Sequence, residues 1–134
     1  KTSYWSTLTV GSPGKPFSVV FDTGSGHLIL PSTWCRSRSC KAHRRYKRSA
    51  SKTAVDVDYD GRLVTAGDER DQLTVSFGTG EVNGVFVEDE VCVGDWMVNK
   101  SRHELALRDQ RMADGCFRMR MLAAVEMSDD PFQD

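Results

Sequence analysis

Apolar and polar residues alternate along most of the chain with a period of two, which is typical of β-strands that bury one face. Residues 4–10, YWSTLTV, follow this pattern and end at the turn-forming cluster GSPG at 11–14. Further predicted strands cover residues 17–21, 28–30, 72–77, 82–87, 90–93 and 117–125. The pattern therefore predicts a mostly-β protein.

A β-hairpin and one short helix are predicted beyond the single strands. Two alternating runs within residues 72–87 flank Gly-Thr-Gly, which is typical of a hairpin. Ser101 and Glu104 form a capping-box pattern, and Gly115 stands where a helix would stop. We therefore expect one short helix between Ser101 and Gly115.

Length and composition fit one globular domain. The chain has 134 residues, of which 39% are hydrophobic and 28% charged, so a core of ordinary size is expected. No apolar run reaches the roughly 20 residues of a membrane-spanning helix. We expect no membrane span.

The net charge of −1 hides a separation of charge along the chain. Residues 36–52 contain eight Lys or Arg side chains and no acid, whereas acids dominate residues 56–71 and 126–134. Two interpretations stay open: solvated faces of opposite sign, or a basic docking patch for an acidic partner. Nucleic acid is not an expected partner. Bases stack on aromatic side chains, and Tyr46 is the one Phe, Trp or Tyr within residues 36–52.

One carboxylate stands between two apolar runs in VVFDTGSGHLIL, residues 19–30. Gly24 permits a tight turn directly after Asp22. The hydroxyl groups of Thr23 and Ser25 are close enough in sequence to orient the carboxylate. The segment predicts a carboxylate exposed at the floor of a cleft, at the end of a buried strand.

The Asp-Thr-Gly segment and several other motifs of the chain occur in the same order as in the pepsin-like aspartic proteases (peptidase family A1), and the chain resembles the N-terminal lobe of that family. The matching segments are the first strand and turn, the strand and loop around Asp-Thr-Gly, Leu-Pro-Ser with a cysteine pair, and Phe-Gly-Thr-Gly with the strand after it. They occupy residues 4–13, 17–25, 30–32 with the cysteines at 35 and 40, 77–80, and Gly84 with 93–95. The resemblance implies a mostly-β fold, here an incomplete N-terminal lobe with one short helix in an insertion, over residues 1–134.

The resemblance also implies catalytic roles. Members of the family use two aspartates that share one proton and activate a water against a peptide carbonyl. Asp22 would be one of the two, supported by Thr23, Gly24 and Ser25 in a catalytic loop at 21–26.

A flap hairpin would extend over residues 72–87 of this chain. Phe77, Gly78 and Thr79 would lie at its tip. The implied substrate is a polypeptide.

The second aspartate is missing from the sequence. No further Asp-Thr-Gly or Asp-Ser-Gly occurs in the 134 residues, and the family's return strand has no counterpart here. We therefore expect a truncated lobe that is inactive alone and whose partners are the missing remainder of the fold or neighbouring subunits. The alternative is a catalytically inactive protease-like subunit with a structural or assembly role in a larger complex.

Two residues depart from the family pattern. Phe77 stands where the family has a tyrosine on the flap, and Ile29 where it has a tryptophan that hydrogen-bonds to that tyrosine. Replacing both partners of a polar contact by apolar groups is nearly neutral for folding. A working enzyme with a hydrophobic flap and a lobe retained for packing both remain open.

The four cysteines suggest two disulfides. Cys35 and Cys40 match a family disulfide, and Cys92 and Cys116 bound an insertion at 96–115. Paired cysteines indicate an oxidising compartment: the secretory pathway, a vacuole or lysosome, an organelle lumen or the extracellular space. Four free buried thiols are the alternative.

No metal or cofactor is expected. Asp56, Asp58 and Asp60 copy the start of an EF-hand loop, but Gly67 stands where the loop needs a glutamate. A solvated acidic turn is favoured over a weak calcium site. The three histidines do not cluster at the spacing of metal ligands, and His27 is interpreted as structural.

Overall fold

The structure is a computed structural model that describes residues 5–65, 67–77, 80–93 and 115–132. These residues form seven β-strands, one short α-helix and one 3-10 turn, which confirms the mostly-β prediction. In chain order the elements are β1 (Trp5–Val10), β2 (Lys15–Asp22), β3 (His27–Pro31), α1 (Arg38–Lys41), the 3-10 turn Arg48–Ala50, β4 (Val55–Asp56), β5 (Gln72–Phe77), β6 (Gly80–Val93) and β7 (Cys116–Met127).

Five of the strands form a closed ring. The neighbours are β1, β2, β3, β7 and β6, and β6 returns to pair with β1 through residues 91–93. The β3–β7 pair is parallel, and the other pairs in the ring are antiparallel. Closure gives each of these strands two partners and so protects its backbone groups. β5 and β4 pair with earlier residues of β6, on the side where β1 also pairs.

Alternation along the strands divides the buried residues between two apolar clusters. Successive residues of a strand point to opposite faces, so Met121 and Ala123 of β7 join one cluster and Leu122 and Ala124 join the other. The first cluster also contains Val10, Phe17, Val19, Leu28, Leu30, Tyr46, Ala54, Val85, Val87 and Val91. The second contains Val20, Ile29, Cys35, Cys40, Val57, Val75, Val82, Phe86, Met127 and Phe132.

β6 is one continuous strand where the sequence predicts two. The acidic residues 88–90 keep the alternation, since Asp89 is buried while Glu88 and Glu90 are half-buried. The Asp89 carboxylate accepts hydrogen bonds from Tyr46 and Thr53. A buried carboxylate needs such donors, and they allow the strand to continue through an acidic segment.

Helical structure is sparse in the described residues. α1 was not predicted; it begins inside the loop closed by the Cys35–Cys40 disulfide and contains Cys40. The predicted helix between Ser101 and Gly115 and most of the insertion at 96–115 lie outside the described residues. Among the helices that the structure describes, none has the length and apolar character of a membrane span.

Candidate active site

Asp22 is the last residue of β2 and stands at the start of a tight loop. β2 pairs antiparallel with β3, with Asp22 opposite His27. The Gly26 amide donates to the Asp22 carbonyl at 2.7 Å, and Gly26 adopts a φ of 75°. Glycine takes this left-handed conformation without the steric cost that a side chain brings. The loop therefore turns the chain within four residues and leaves the Asp22 side chain at the strand end.

Two donors fix the Asp22 carboxylate. The Ser25 hydroxyl donates to Oδ2 at 2.5 Å, and the Gly24 amide donates to Oδ1 at 3.1 Å. Each carboxylate oxygen thus has one partner from the same loop. The Thr23 side chain is exposed, and within the described residues its hydroxyl makes no hydrogen bond to Asp22.

The arrangement supplies an oriented carboxylate that is half-buried and accessible. A carboxylate held in this way can accept a proton from a bound water, which is general base chemistry. Sharing a proton between two carboxyl groups requires a second carboxyl at close range.

The predicted hairpin is present as β5 and β6, which pair antiparallel from Gln72 opposite Val85 to Phe77 opposite Gly80. Phe77 is the last residue of β5, and Gly78 and Thr79 lie outside the described residues. The described strands thus end on either side of residues 78 and 79.

The tip end of the hairpin is attached to the segment after β7. The Glu81 amide donates to the Ser128 hydroxyl at 2.9 Å, and the Ser128 amide donates to the Glu81 carbonyl at 3.0 Å. A Cβ atom on Gly80 would lie 2.2 Å from the carbonyl oxygen of Asp130. Only glycine fits there, and no local pattern in the sequence predicts this contact because the two segments are distant in the chain.

Ile29 is fully buried in the second apolar cluster, together with Val20, Phe86 and Leu122. It has no N–H or O–H group that needs a partner. Its side chain is therefore held by apolar packing alone.

An aromatic group next to the loop was not found from the sequence. The His27 ring lies 5.6 Å from that of Phe86 and 6.3 Å from that of Tyr59. The Arg120 guanidinium lies 5.8 Å from the Tyr59 ring and 5.7 Å from the Phe86 ring, within the range of a cation–π interaction. These contacts place the His27 ring against the second apolar cluster, to which Phe86 belongs.

Both disulfides are present, and no described cysteine is free. Cys35 is bonded to Cys40. Cys92 and Cys116 are cross-strand partners at the ends of β6 and β7, so their bond joins the two ends of the segment that contains residues 94–114. The expectation of two disulfides is confirmed.

The carboxylates of the acidic turn are engaged by other groups. Asp56 forms ion pairs with Arg48 at 3.0 Å and Arg70 at 3.3 Å, and Asp60 pairs with Arg62 at 3.2 Å. The Asp71 amide donates to Oδ1 of Asp58 at 3.4 Å. In the part of the chain that the structure describes, no three His, Cys, Asp or Glu side chains are grouped to hold a metal ion.

Comparison with known proteins identifies the family. The family model for eukaryotic aspartyl proteases matches residues 3–117. Similar proteins include pepsin A of Gallus gallus, 35% identical over 91 residues, and procardosin-A of Cynara cardunculus, 33% identical over 125 residues. Cathepsin E of Rattus norvegicus is 36% identical over 90 residues.

These alignments cover 68%, 92% and 67% of the chain, but only 22%, 22% and 20% of the respective relatives. The chain thus spans about a fifth of the length of the curated relatives it matches. Its mostly-β structure is consistent with a partial pepsin-like lobe. The chain belongs to the eukaryotic aspartyl protease family.

Proposed function

We propose that this chain provides one of the two catalytic carboxyl groups of an aspartic endopeptidase. The observation that supports the proposal is the Asp22 carboxylate, held by the Ser25 hydroxyl and the Gly24 amide inside an Asp-Thr-Gly loop. Membership of the aspartyl protease family supports it independently. Polypeptides are the proposed substrates, and the hairpin of residues 72–87 is the proposed flap, with Phe77 near its tip.

The proposed reaction needs a second carboxyl group from protein outside this chain. One carboxyl of the pair would accept a proton from a water molecule, and the water oxygen would attack the peptide carbonyl carbon. The other carboxyl would donate its proton to the carbonyl oxygen. Collapse of the tetrahedral intermediate would then break the C–N bond, and the amine would leave with a proton from the pair.

Within this scheme, Ser25 and Gly24 are positioning groups. They hold the plane of the Asp22 carboxylate before substrate arrives, which reduces the reorganisation that the reaction requires. Thr23 completes the proposed loop. The two disulfides fit a secretory, vacuolar or extracellular compartment, where such bonds persist.

A second candidate function is that of a catalytically inactive, protease-like subunit in a larger complex. The observation that favours it is Ile29, a fully buried aliphatic residue that has no group with which to hold a flap side chain by a hydrogen bond. Phe77 on β5 likewise has no hydroxyl group. Such a lobe would be retained for packing.

The two functions are separated by measuring the peptidase activity of the longest natural polypeptide that contains these residues. We expect cleavage of a fluorogenic peptide at acidic pH, where a pair of carboxyl groups shares one proton. We also expect inhibition by pepstatin and loss of cleavage in Asp22→Asn. Glu69→Gln is the matched control, because it removes an exposed carboxylate in the segment before β5. The 134-residue chain alone is expected to cleave nothing.

A folded product that neither cleaves peptides nor binds pepstatin would refute the endopeptidase and support the structural subunit. Cleavage that survives Asp22→Asn would refute the assignment of Asp22. Pepstatin-sensitive cleavage by a verified monomer of the 134 residues would contradict the need for a second carboxyl group from outside the chain.

A further inference from the structure

A cavity of about 380 Å³ lies between the turn that joins β1 to β2 and residues 44–51. Its lining contains no residue of the loop at 21–26. This volume falls within the range of small-ligand pockets and accommodates one or two side chains of a peptide. We call it the basic cavity, after four of its lining residues: Lys15, Arg44, Arg45 and Lys47.

Apolar groups face the basic cavity from two sides. Pro13 in the β1–β2 turn and Ala50 in the 3-10 turn are both exposed and both line it. Phe17 and Val10 line it as buried residues of the core. An apolar side chain entering the basic cavity would therefore contact carbon rather than charge.

The walls of the basic cavity are fixed by hydrogen bonds. Tyr46 is held through its amide, which donates to the Pro31 carbonyl at 2.8 Å, and through its ring, which lies 5.8 Å from Phe17. The Lys52 amide donates to the Ser12 carbonyl at 2.8 Å, which joins the far end of the segment to the β1–β2 turn. A cavity with walls fixed in this way binds a ligand at a low ordering cost.

None of the four cations forms an ion pair with a described acidic residue. Lys15, Arg44 and Lys47 are exposed and form no ion pair with any described residue. The Arg45 guanidinium donates to the Cys35 carbonyl at 3.1 Å, a neutral acceptor that orients the group and leaves its charge uncompensated.

Other basic residues of the same segment do have acidic partners. Arg48 pairs with Asp56 at 3.0 Å, and Arg38 approaches Asp129 at 4.0 Å. Arg36, Lys41 and Lys52, which do not line the cavity, form no ion pair with any described residue either. The basic cavity is therefore the concave part of a wider surface of unpaired positive charge.

We propose that the basic cavity binds an acidic peptide segment of another protein, with one apolar side chain inserted between Pro13 and Ala50. Carboxylates on either side of this apolar residue would pair with Lys15, Arg44, Arg45 and Lys47. Charge complementarity selects the acidic peptide, and the apolar walls select its central residue. This inference does not depend on the proposed endopeptidase function, since Asp22 takes no part in it.

Two other kinds of polyanion fit the site less well. Single-stranded nucleic acids need exposed aromatic rings on which bases stack, and the Tyr46 ring at the basic cavity is 2% exposed. Anionic membranes need apolar groups that project into the interface. Here Phe17 and Val10 are buried within the lobe.

Fluorescence polarisation with a labelled octapeptide, Glu-Asp-Glu-Leu-Phe-Glu-Asp-Glu, tests the proposal on the full chain. We expect saturable binding that weakens as salt rises from about 50 to 500 mM, because exposed charge pairs are screened. A peptide with Gln and Asn for the acids is expected to lose binding. A peptide with Gly and Ser for Leu and Phe is expected to bind about tenfold more weakly, as burial of a large apolar side chain contributes to affinity.

A pair of triple variants locates the site. Lys15→Gln, Arg44→Gln and Lys47→Gln together remove three cations of the basic cavity and should raise the Kd about tenfold. The matched control replaces Arg36, Lys41 and Lys52 by glutamine, removing three exposed cations of the same segment that do not line the cavity. The control should change the Kd less than about twofold.

A second readout does not depend on the triple variants. Amide chemical shifts of Ala50 and Ser51 in the unaltered chain should move on peptide addition, and Ala50→Glu should weaken binding by placing a negative charge at the exposed wall. Unmoved shifts at these residues would overturn the proposal. Equal loss of binding in both triple variants would also overturn it, because the attraction would then be non-specific.

Competing anions complete the test. The probes are phosphatidylserine vesicles and a single-stranded oligodeoxythymidine. The proposal would be overturned if either bound more tightly than the acidic peptide, with the same dependence on Lys15, Arg44 and Lys47. The site would then be a membrane or a nucleic-acid surface. Weaker binding of both would support the peptide.

Discussion

The phenol group of Tyr46 donates a 2.7 Å hydrogen bond to Oδ2 of Asp89, and both residues are buried in the lobe. Thr53 donates to the other oxygen of the same carboxylate at 2.6 Å. One carboxylate of β6 therefore holds the segment of residues 46–53 at both of its ends. Hydrogen bonds within the chain itself are therefore enough to hold residues 46–53 in one conformation.

Tyr46→Phe should lower the free energy of unfolding by about 1–3 kcal/mol, because it removes the donor to Oδ2 and leaves a buried acceptor without that partner. Urea denaturation followed by circular dichroism measures the change. Tyr59→Phe is the matched control, since Tyr59 is 55% exposed, and it should be nearly neutral. Equal effects of the two substitutions would contradict the role given to the Tyr46 hydroxyl.

Burial, followed by the hydrogen bond to Asp89, raises the pKa of Tyr46 well above its usual range. The folded state thus favours the neutral phenol, and the stability from this group is fully present below the unfolded pKa of about 10. It is lost as pH rises beyond that value. Unfolding free energies measured from about pH 8 to 11.5 should fall more steeply for the unaltered chain than for Tyr46→Phe. Parallel curves would show that Tyr46 ionisation is not linked to unfolding.

Gly84→Ala should destabilise the lobe by about 1–3 kcal/mol, as expected when a group is forced into a packed interior. A Cβ atom there would lie 2.7 Å from the Ala123 carbonyl oxygen, at the register shift between β6 and β7. Gly24→Ala is a useful comparison for stability, because its nearest contact would be 3.5 Å from Asp22 Oδ1. Thermal unfolding of the two variants should differ clearly, and similar melting temperatures would argue against close packing at Gly84.

The two disulfides should differ in what their removal costs. Loss of Cys92–Cys116, with a sequence separation of 24, is expected to cost about 3.5 kcal/mol through chain entropy of the unfolded state. Loss of Cys35–Cys40, with a separation of 5, is expected to cost about 2 kcal/mol. Paired Cys→Ala variants, each measured by denaturant unfolding, test the order. The reverse order would show that loop entropy does not dominate.

Ser25→Ala, introduced into the longest natural polypeptide that contains these residues, should lower its kcat about tenfold or more. The substitution removes the hydroxyl group that holds Oδ2 of Asp22. Stability should hardly change, since Ser25 is exposed. Steady-state kinetics and thermal melting separate the two effects, and Ser49→Ala, an exposed serine remote in sequence, is the control. An unchanged kcat would mean that the carboxylate is oriented by other groups.

Local patterns predicted the strands and the Asp22 loop well. Alternation gave residues 72–77 with the bounds that the structure has, and Gly24 and Ser25 were identified as neighbours of the carboxylate because their roles depend on a few adjacent residues. The continuity of β6 was missed. Its acidic residue Asp89 becomes compatible with a buried strand only through donors from residues 46 and 53.

Contacts between distant segments could not be predicted from one sequence. Arg120 reaches the ring of Tyr59, and Gly80 packs against the carbonyl of Asp130, without any local signal at either residue. The basic cavity is a similar case, because Lys15 and Arg44 meet only after β2 and the segment at 44–51 are packed. The run of basic residues is visible in the sequence, whereas the fold determines which of them line the cavity.

β7 lies between β3 and β6, and it is the last strand of the ring in chain order. During synthesis, a ribosome that has released residues up to 93 presents both of these strands with one side unpaired. The gap closes only when residues 116–127 have left the exit tunnel, so translation of the intervening stretch sets how long the two strand edges stay open to pairing with other chains.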